Sequence, residues 1–449
     1  MLAFPTAASD HTPMLKSRDP NCDRAQSSPE TRFHRGPAFV NGALLLLSAL
    51  CVVSSLAAVN WPELRGPLRN GHALDANPPL SWSETNRIVW KTAIHDLGWS
   101  SPVVWGEQIW LTTATTDGRE MYAVCVDAQT GRVVMDVKVF DTPEPEHISN
   151  LNSYASPTSA IEAGRVYVHY GTYGTACLDT ENGKVLWSRR DLNCDHHEGP
   201  GASIMLDGDR LYVPVDGRDV QYVVALDKAT GRTVWRTDRS VDYSQFPSNC
   251  RKAFCTPIAI ETGGRRQLFS PAAKGMFAYD PDTGAELWKA RYNGWSMVPR
   301  PLFGHGLLYV ITDYERPELW AVRPDGQGDV TDTHVAWKVV KDMPSTASLL
   351  LIDDLLYMVN DQGFALCVEA KTGAVVWRER IGGKHSASPI YTPGRIYFFN
   401  ERNRATVIAP GREFRVLGGS QLDDPLMASP AVTGDALILR SRTHLYRIQ

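Results

Sequence analysis

The chain has 449 residues, 43% of them apolar and 21% charged, the composition of a globular protein with a substantial core. A formal charge of −4 offers no basic footprint for nucleic acid. Thirteen Trp and 35 Gly point to a repetitive chain with many turns, either two or three domains or one large all-β architecture.

The first recognisable element is GALLLLSALCVVSSLAAV, residues 42–59, whose apolar core has the length of a signal-peptide h-region. Arg32 and Arg35 precede it, and Ser55 and Ala57 stand at −3 and −1 of a cleavage before Ala58. Residues 1–57 are therefore expected to be a leader and the protein to be exported, to the periplasm or cell envelope. An uncleaved membrane anchor is the alternative, although the run is short for a span of about 20 residues. Leu50 before Cys51 speaks against a lipoprotein signal. Six cysteines follow the leader, of which Cys250 and Cys255 are the closest couple for a disulfide. Cys125, Cys177 and Cys367 lie in apolar strand patterns and read as buried thiols.

After an N-terminal extension over 58–85, the rest of the chain is a repeat. Five segments share one pattern: VDAQTGRVVM (126–135), LDTENGKVLW (178–187), LDKATGRTVW (226–235), YDPDTGAELW (279–288) and VEAKTGAVVW (368–377). An acidic residue (Asp127, Asp179, Asp227, Asp280) precedes a turn, and a Gly follows it four positions later (Gly131, Gly183, Gly231, Gly284, and Gly373 in the last segment). Gly supplies the positive φ of a bulged hairpin turn. Four residues on comes a large side chain, Trp187, Trp235, Trp288 and Trp377 in four of the five, placed to pack between neighbouring sheets. Upstream of the turns a small-residue and Pro start leads into two further strands, as in SSPVVWGEQIWLTTA (100–114), SASPIYTPGRIYFFN (386–400) and MASPAVTGDALILR (427–440).

Four short strands every 40–50 residues is the period of a β-propeller blade. Blades are expected at about 98–140, 153–190, 200–239, 253–292, 297–340, 346–381, 385–418 and 427–449. The last has only three strands, and NRIVWKTAI (86–94) can supply the fourth and close the ring without a free edge. The fold is thus an all-β, eight-bladed propeller of four-stranded blades over 86–449, with seven blades as the alternative. Blade five departs from the pattern by stretching its turn to RPDGQGDVTDTHVAW (323–337) ahead of Trp337, and blade seven keeps only APGREF (409–414).

The Asp-x-x-Thr-Gly-x-x-x-Trp core resembles the pyrroloquinoline-quinone-type propeller repeat. The opening NWPELRGPLRNG (60–71) with GWSSPVVWG (98–106) is similar to a BamB-like exported bacterial subgroup. The resemblance implies fold but not function, since such blades serve quinone-dependent dehydrogenases and non-catalytic scaffolds alike. It implies for the dehydrogenases two adjacent cysteines beside the quinone, a calcium held by Glu and Asn, and a catalytic Asp. This chain has no Cys-Cys pair and no C-x-x-C-H haem motif. No catalytic residue, cofactor or metal is therefore assigned, with quinone plus calcium kept as the lesser reading.

Blade connectivity puts the links between blades, together with each blade's central hairpin, on one face, and the Asp-x-x-Thr-Gly turns on the other. The link face is expected to gather Trp99, Asn152, Tyr154, His196, His197, Glu198, Arg251, Lys252, Trp295, Arg300 and His385 around the channel mouth, with Lys384, Tyr314 and Asp361 nearby. The densest stretch is DLNCDHHEGPG (191–201). Adjacent His side chains on extended backbone diverge, so only Cys194, His196 and Glu198 share a side, without a recognised metal spacing. The functional expectation is a monomeric, non-catalytic scaffold that binds an envelope protein or peptide, with peripheral membrane association left open. A quinone- or metal-dependent enzyme and a carbohydrate or small-ligand binder are the alternatives.

Overall fold

The computed structural model describes residues 60–449; the leader at 1–57 lies outside the described residues. Eight sheets follow one another along the chain, and in seven of them the shortest strand lies innermost. Blade 1 runs from Val103–Trp105 to Val133–Asp141, blade 2 from Ala160–Glu162 to Val185–Arg189, and blade 3 from Met205–Asp207 to Thr233–Asp238. Blade 4 runs from Ile258–Thr262 to Glu286–Arg291, blade 5 from Leu302–Gly304 to Val335–Val339, blade 6 from Leu350–Ile352 to Val375–Arg380, and blade 7 from Ile390–Thr392 to Val416–Gln421. Blade 8 takes Ala431–Thr433, Ala436–Arg440 and His444–Ile448 from one end of the chain and its outer strand, Ile88–Ala93, from the other. Ala93 pairs with His444 and Lys91 with Tyr446, the closure anticipated for NRIVWKTAI. The fold is an eight-bladed propeller, and the seven-blade alternative falls away.

Neighbouring blades are fastened at two radii. At the rim, the repeat Asp folds its own turn: Asp227 Oδ1 accepts from the amide and the hydroxyl of Thr230 at 2.9 and 2.7 Å, and Asp127 and Asp280 do the same for Thr130 and Thr283. The Gly then sits at φ near +70° (Gly131 72°, Gly231 70°, Gly284 74°) and the strand register shifts by a bulge just beyond. The preceding blade's Trp lies flat on that Gly. A Cβ on Gly231 would fall 2.5 Å from the Trp187 ring, and one on Gly284 2.5 Å from Trp235. Each indole also donates its N–H to a carbonyl in the next blade's turn, Trp187 to Lys228, Trp235 to Pro281 and Trp90 to Ala128, all at 3.0 Å. Gly183, which faces blade 1, meets Val137 instead, because Met135 replaces the Trp there.

At the inner radius the small-residue starts form a girdle. Ser101 N–H donates to Thr158 Oγ1, Thr158 N–H to Ser203 Oγ, and Ser203 N–H to Thr256 Oγ1 at 2.9–3.0 Å. Arg300 N–H donates to Ser348 Oγ, Ser348 N–H to Ser388 Oγ, and Ser388 N–H to Ser429 Oγ, each at 2.9 Å. In six blades one hydroxyl thus satisfies an amide of the blade before it. The six bonds form two runs, 101 to 256 and 300 to 429, and Arg300 occupies the hydroxyl position at the start of the second.

The two irregular blades have physical explanations. The stretched turn of blade five sends Gly328–Asp329 out to pair in parallel with blade 4's outer strand, and this fifth strand encloses Trp288, whose N–H turns inward to Gln267 Oε1. Blade 7 lacks the outer Trp, and the extension fills the place: Leu80 lies on Gly418, Trp82 donates its amide to Ser420 Oγ at 2.7 Å, and the Trp82 ring is buried beside Phe399.

The girdle and the rim stacks each predict a stability loss in urea unfolding. Ser388→Ala strands the buried Ser348 amide and should cost about 1–3 kcal/mol. Gly231→Ala should cost clearly more than Gly208→Ala, which has the same sign of φ but open space around it, although the φ penalty alone is about 1–2 kcal/mol at either position.

Candidate functional site

The residue two positions before each girdle residue lines a funnel of about 420 Å³ that opens on the link face. Extended backbone repeats its facing every two residues, so these eight share one orientation. In blade order they are Trp99, Ser156, Gly201, Phe254, Val298, Thr346, Ser386 and, from blade 8, Met427. The apolar members fall in two opposed pairs, Met427 with Trp99 and Phe254 with Val298, and the small or polar members fill both gaps between. The throat is therefore a slot with two apolar jaws and two narrow polar sides. Above it stand Leu151, Asn152, Glu198, Lys252, Trp295, Tyr314, Asp361 and Lys384.

Charge around the rim is largely matched. Lys252 is 3% exposed; its ammonium lies 3.6 Å from Glu198 and donates to Asn249 O at 3.1 Å, while burial pulls its pKa down. Lys384 pairs with Glu401 at 3.0 Å. Burial raises the Asp361 carboxyl above its ordinary range, and its Oδ1 accepts the Ser345 amide at 3.2 Å.

Of the residues expected at the mouth, Trp99, Asn152, Glu198, Lys252 and Trp295 line the funnel. Asn152 also braces it, donating to Glu198 O at 2.8 Å and Pro200 O at 3.1 Å. The others have structural partners outside it. Tyr154 is buried, packs edge-to-face on Tyr173 and donates its hydroxyl to Glu146 O at 2.7 Å. Arg251 donates to Phe246 O at 2.9 and 2.7 Å, closing its own loop. His196 Nε2 accepts the Thr172 amide at 3.1 Å, which places its proton on Nδ1, 3.5 Å from Cys194 Sγ. His197 is exposed at φ +61°, and His385 is buried with Nδ1 unpartnered.

Arg300 is a correction to the reading of rim residues. It is 1% exposed and points into the channel, where it meets Glu63 of the extension at 2.9 Å and Pro257 O at 3.0–3.1 Å. Residues 61–72 cross the inner strands from the face opposite the funnel. Trp61 pairs with Val104 and Gly71 with Tyr391, while Arg65 donates to Leu349 O at 2.8 Å and to Pro389 O. The extension and Arg300 together fill the axis below the funnel.

The carboxylates at the mouth already have partners. Calcium takes six to eight oxygen ligands, whereas Glu198 is held by Lys252 and Asp361 by a backbone amide. Among the described residues no three His, Cys, Asp or Glu side chains group as ligands, Cys194, His196 and Glu198 included. Cys250 and Cys255 do not form the disulfide their spacing suggested; both are free thiols, and Cys255 Sγ donates to Pro299 O.

An eight-bladed propeller with a funnel on the link face and its axis filled from the opposite face is the class these features define. The chain belongs to the family described as outer membrane protein assembly factor BamB, which it matches over residues 81–237, 219–352 and 326–412. The crystal structure of BamB from Moraxella catarrhalis superposes with a TM-score of 0.57 at 13% identity, covering 80% of this chain and 99% of that one. The computationally designed Ika8 protein gives 0.55 at 12% identity over 81% of this chain and all of its own. A quinoprotein ethanol dehydrogenase from Pseudomonas aeruginosa is 29% identical over 139 residues, 28% of this chain but only 21% of the dehydrogenase.

Burial lowers the pKa of His196, His385 and His72 to about 4 and depresses His169 further, to about 3. An unfolded His titrates near 6.5, so between these values the unfolded chain binds protons that the native one does not. The contribution of these histidines should be flat above pH 7 and fall steadily from about pH 6.5 towards 4. His385→Gln should make that decline shallower in urea midpoints recorded across the range.

Proposed function

We propose that this chain is a non-catalytic scaffold of the cell envelope that holds an extended segment of another protein at the funnel on its link face. The observation that carries this is the throat. Two opposed apolar jaws clasp one bulky side chain, and the small residues Ser156, Gly201, Thr346 and Ser386 leave room for backbone to enter and leave on either side. Trp99, Trp295 and Tyr314 are the residue types that dominate binding energy at such contacts. Membership of the BamB family supports the scaffold role, and the apolar segment at 42–59 supports export. The reading needs no cofactor and treats the protein as a monomer.

The local identity with a quinoprotein ethanol dehydrogenase favours a quinone-dependent oxidoreductase as the second reading, against which the donor set at the mouth argues. Calorimetry with pyrroloquinoline quinone and calcium separates the two, because tight uptake would remove the scaffold proposal. For the scaffold itself, the purified protein should capture a partner from solubilised native envelope. A Trp99→Ala, Trp295→Ala double variant should retain less than a tenth of that capture at an unchanged circular dichroism spectrum. Undiminished capture by the variant would move the interaction away from the funnel.

A further inference from the structure

A second cavity, of about 800 Å³, opens on the link face between blades 4 and 5, outward of the funnel. Lys274 lines its wall from the central hairpin of blade 4, where Ala272 pairs with Gly275 across a two-residue turn. Its φ is +66°, at a turn position ordinarily given to Gly or Asn. The side chain is only 7% exposed, and no carboxylate lies within ion-pairing distance among the described residues. The ammonium donates to Asn293 O and sits 4.9 Å from the Phe246 ring and 4.6 Å from that of Trp295. Strain and desolvation at one lysine are costs that a purely structural hairpin would avoid with Gly.

The charges facing Lys274 across the cavity are unevenly committed. The three acids are occupied within their own loops: Asp242 accepts from Ser244, Asp313 from the Glu315 amide at 3.1 Å, and Glu318 from Trp320 Nε1 at 2.8 Å. Of the cations, Arg291 is paired with Asp329 at 2.8 Å. Arg316 and Lys338 are exposed and make no ion pair among the described residues, Lys338 resting on the Trp320 ring at 3.5 Å. Each of the three acids has one oxygen engaged in its own loop, and Arg316 and Lys338 stand open beside Lys274. The volume is many times that of an inorganic ion, and Phe246 contributes apolar surface beside the ammonium.

We propose that this cavity binds an organic carboxylate, with Lys274 as its buried counter-ion and Arg316 or Lys338 as the outer one. A peptide's free C-terminus and a small aryl or alkyl acid both present that chemistry, and the jaws of the funnel are not required for either. Burial lowers the Lys274 pKa, so a bound carboxylate should raise it again.

The test is isothermal calorimetry of the whole protein with acetyl-Ala-Ala-Phe as free acid, the same peptide as C-terminal amide, and 3-phenylpropionate. The free acid, the propionate, or both should bind, with the amide at least tenfold weaker. Lys274→Met should weaken the acids at least tenfold. Lys274→Gly should do the same while melting at or above the parent temperature, because it relieves the positive φ, and that separates lost binding from lost folding. Binding by the peptide alone would identify a chain terminus, and binding by both acids a small-molecule site. Equal affinity for acid and amide, undiminished binding by either variant, or no heat from either acid at millimolar concentration would overturn the proposal. None of these outcomes bears on partner capture at the funnel.

Discussion

The structure depends on a hydrogen bond that six of the eight blades make to the next at the channel wall. A propeller brings eight chain entries to a crowded axis, where every amide is shielded from water and few have a strand partner. Placing Ser or Thr at positions 158, 203, 256, 348, 388 and 429 gives the amide of the preceding blade an acceptor on a side chain short enough not to fill the channel. The spacing between blades is thereby set at the inner radius by hydroxyls and at the rim by Trp rings on Gly. A side chain two residues ahead of each hydroxyl is held in the same orientation all the way round. That regularity converts eight irregular links into a lined funnel.

The replacement of a girdle hydroxyl by Arg300 is informative. Arg300 cannot serve as a compact acceptor, and its guanidinium instead reaches across the axis to Glu63 and Leu64 of the extension. Arg65 comes the other way, to carbonyls of blades 6 and 7. Burying Arg300 and Arg65 is expensive in a low-dielectric interior unless nearly every donor finds an oxygen, and the one carboxylate beside them, Glu63, is shared between Arg300 and Arg69. Here Arg300 and Arg65 find backbone carbonyls, so the extension is tied to the inner strands of several blades at once. The channel has one open end as a result.

Architecture was far more legible than the site. Asp-x-x-Thr-Gly and the small-residue starts report backbone requirements, positive φ and crowding, that few other residues meet, so blades and closure strand could be placed from residue types alone. The links carry no such periodicity. Tyr154, His196 and Arg251 share the links with Trp99 and Trp295, but irregular backbone turns Tyr154 and Arg251 to carbonyls of their own loops and His196 to the Thr172 amide of blade 2's central hairpin. A usable signal did exist. Aligning these six hydroxyls with that of Ser101 exposes Arg300 as the eighth position, and stepping back two residues identifies Phe254 and Met427 as throat residues that chemical type alone did not suggest. Lys274 was visible as a hairpin residue, but its burial depends on Phe246 and Trp295, from links on either side of blade 4.

The composite eighth blade has a consequence in time. Ile88–Ala93 is among the earliest described strands and His444–Ile448 the last, so the ring cannot shut until almost the entire sequence is available. Until then the early strand is an unsatisfied edge, and the long loop closure that ends this state is slow relative to the local hairpins. A chain threaded across a membrane one end first would stay open, and accessible to chaperones, for the whole of its passage. The molecule becomes a closed ring only when its final strand arrives.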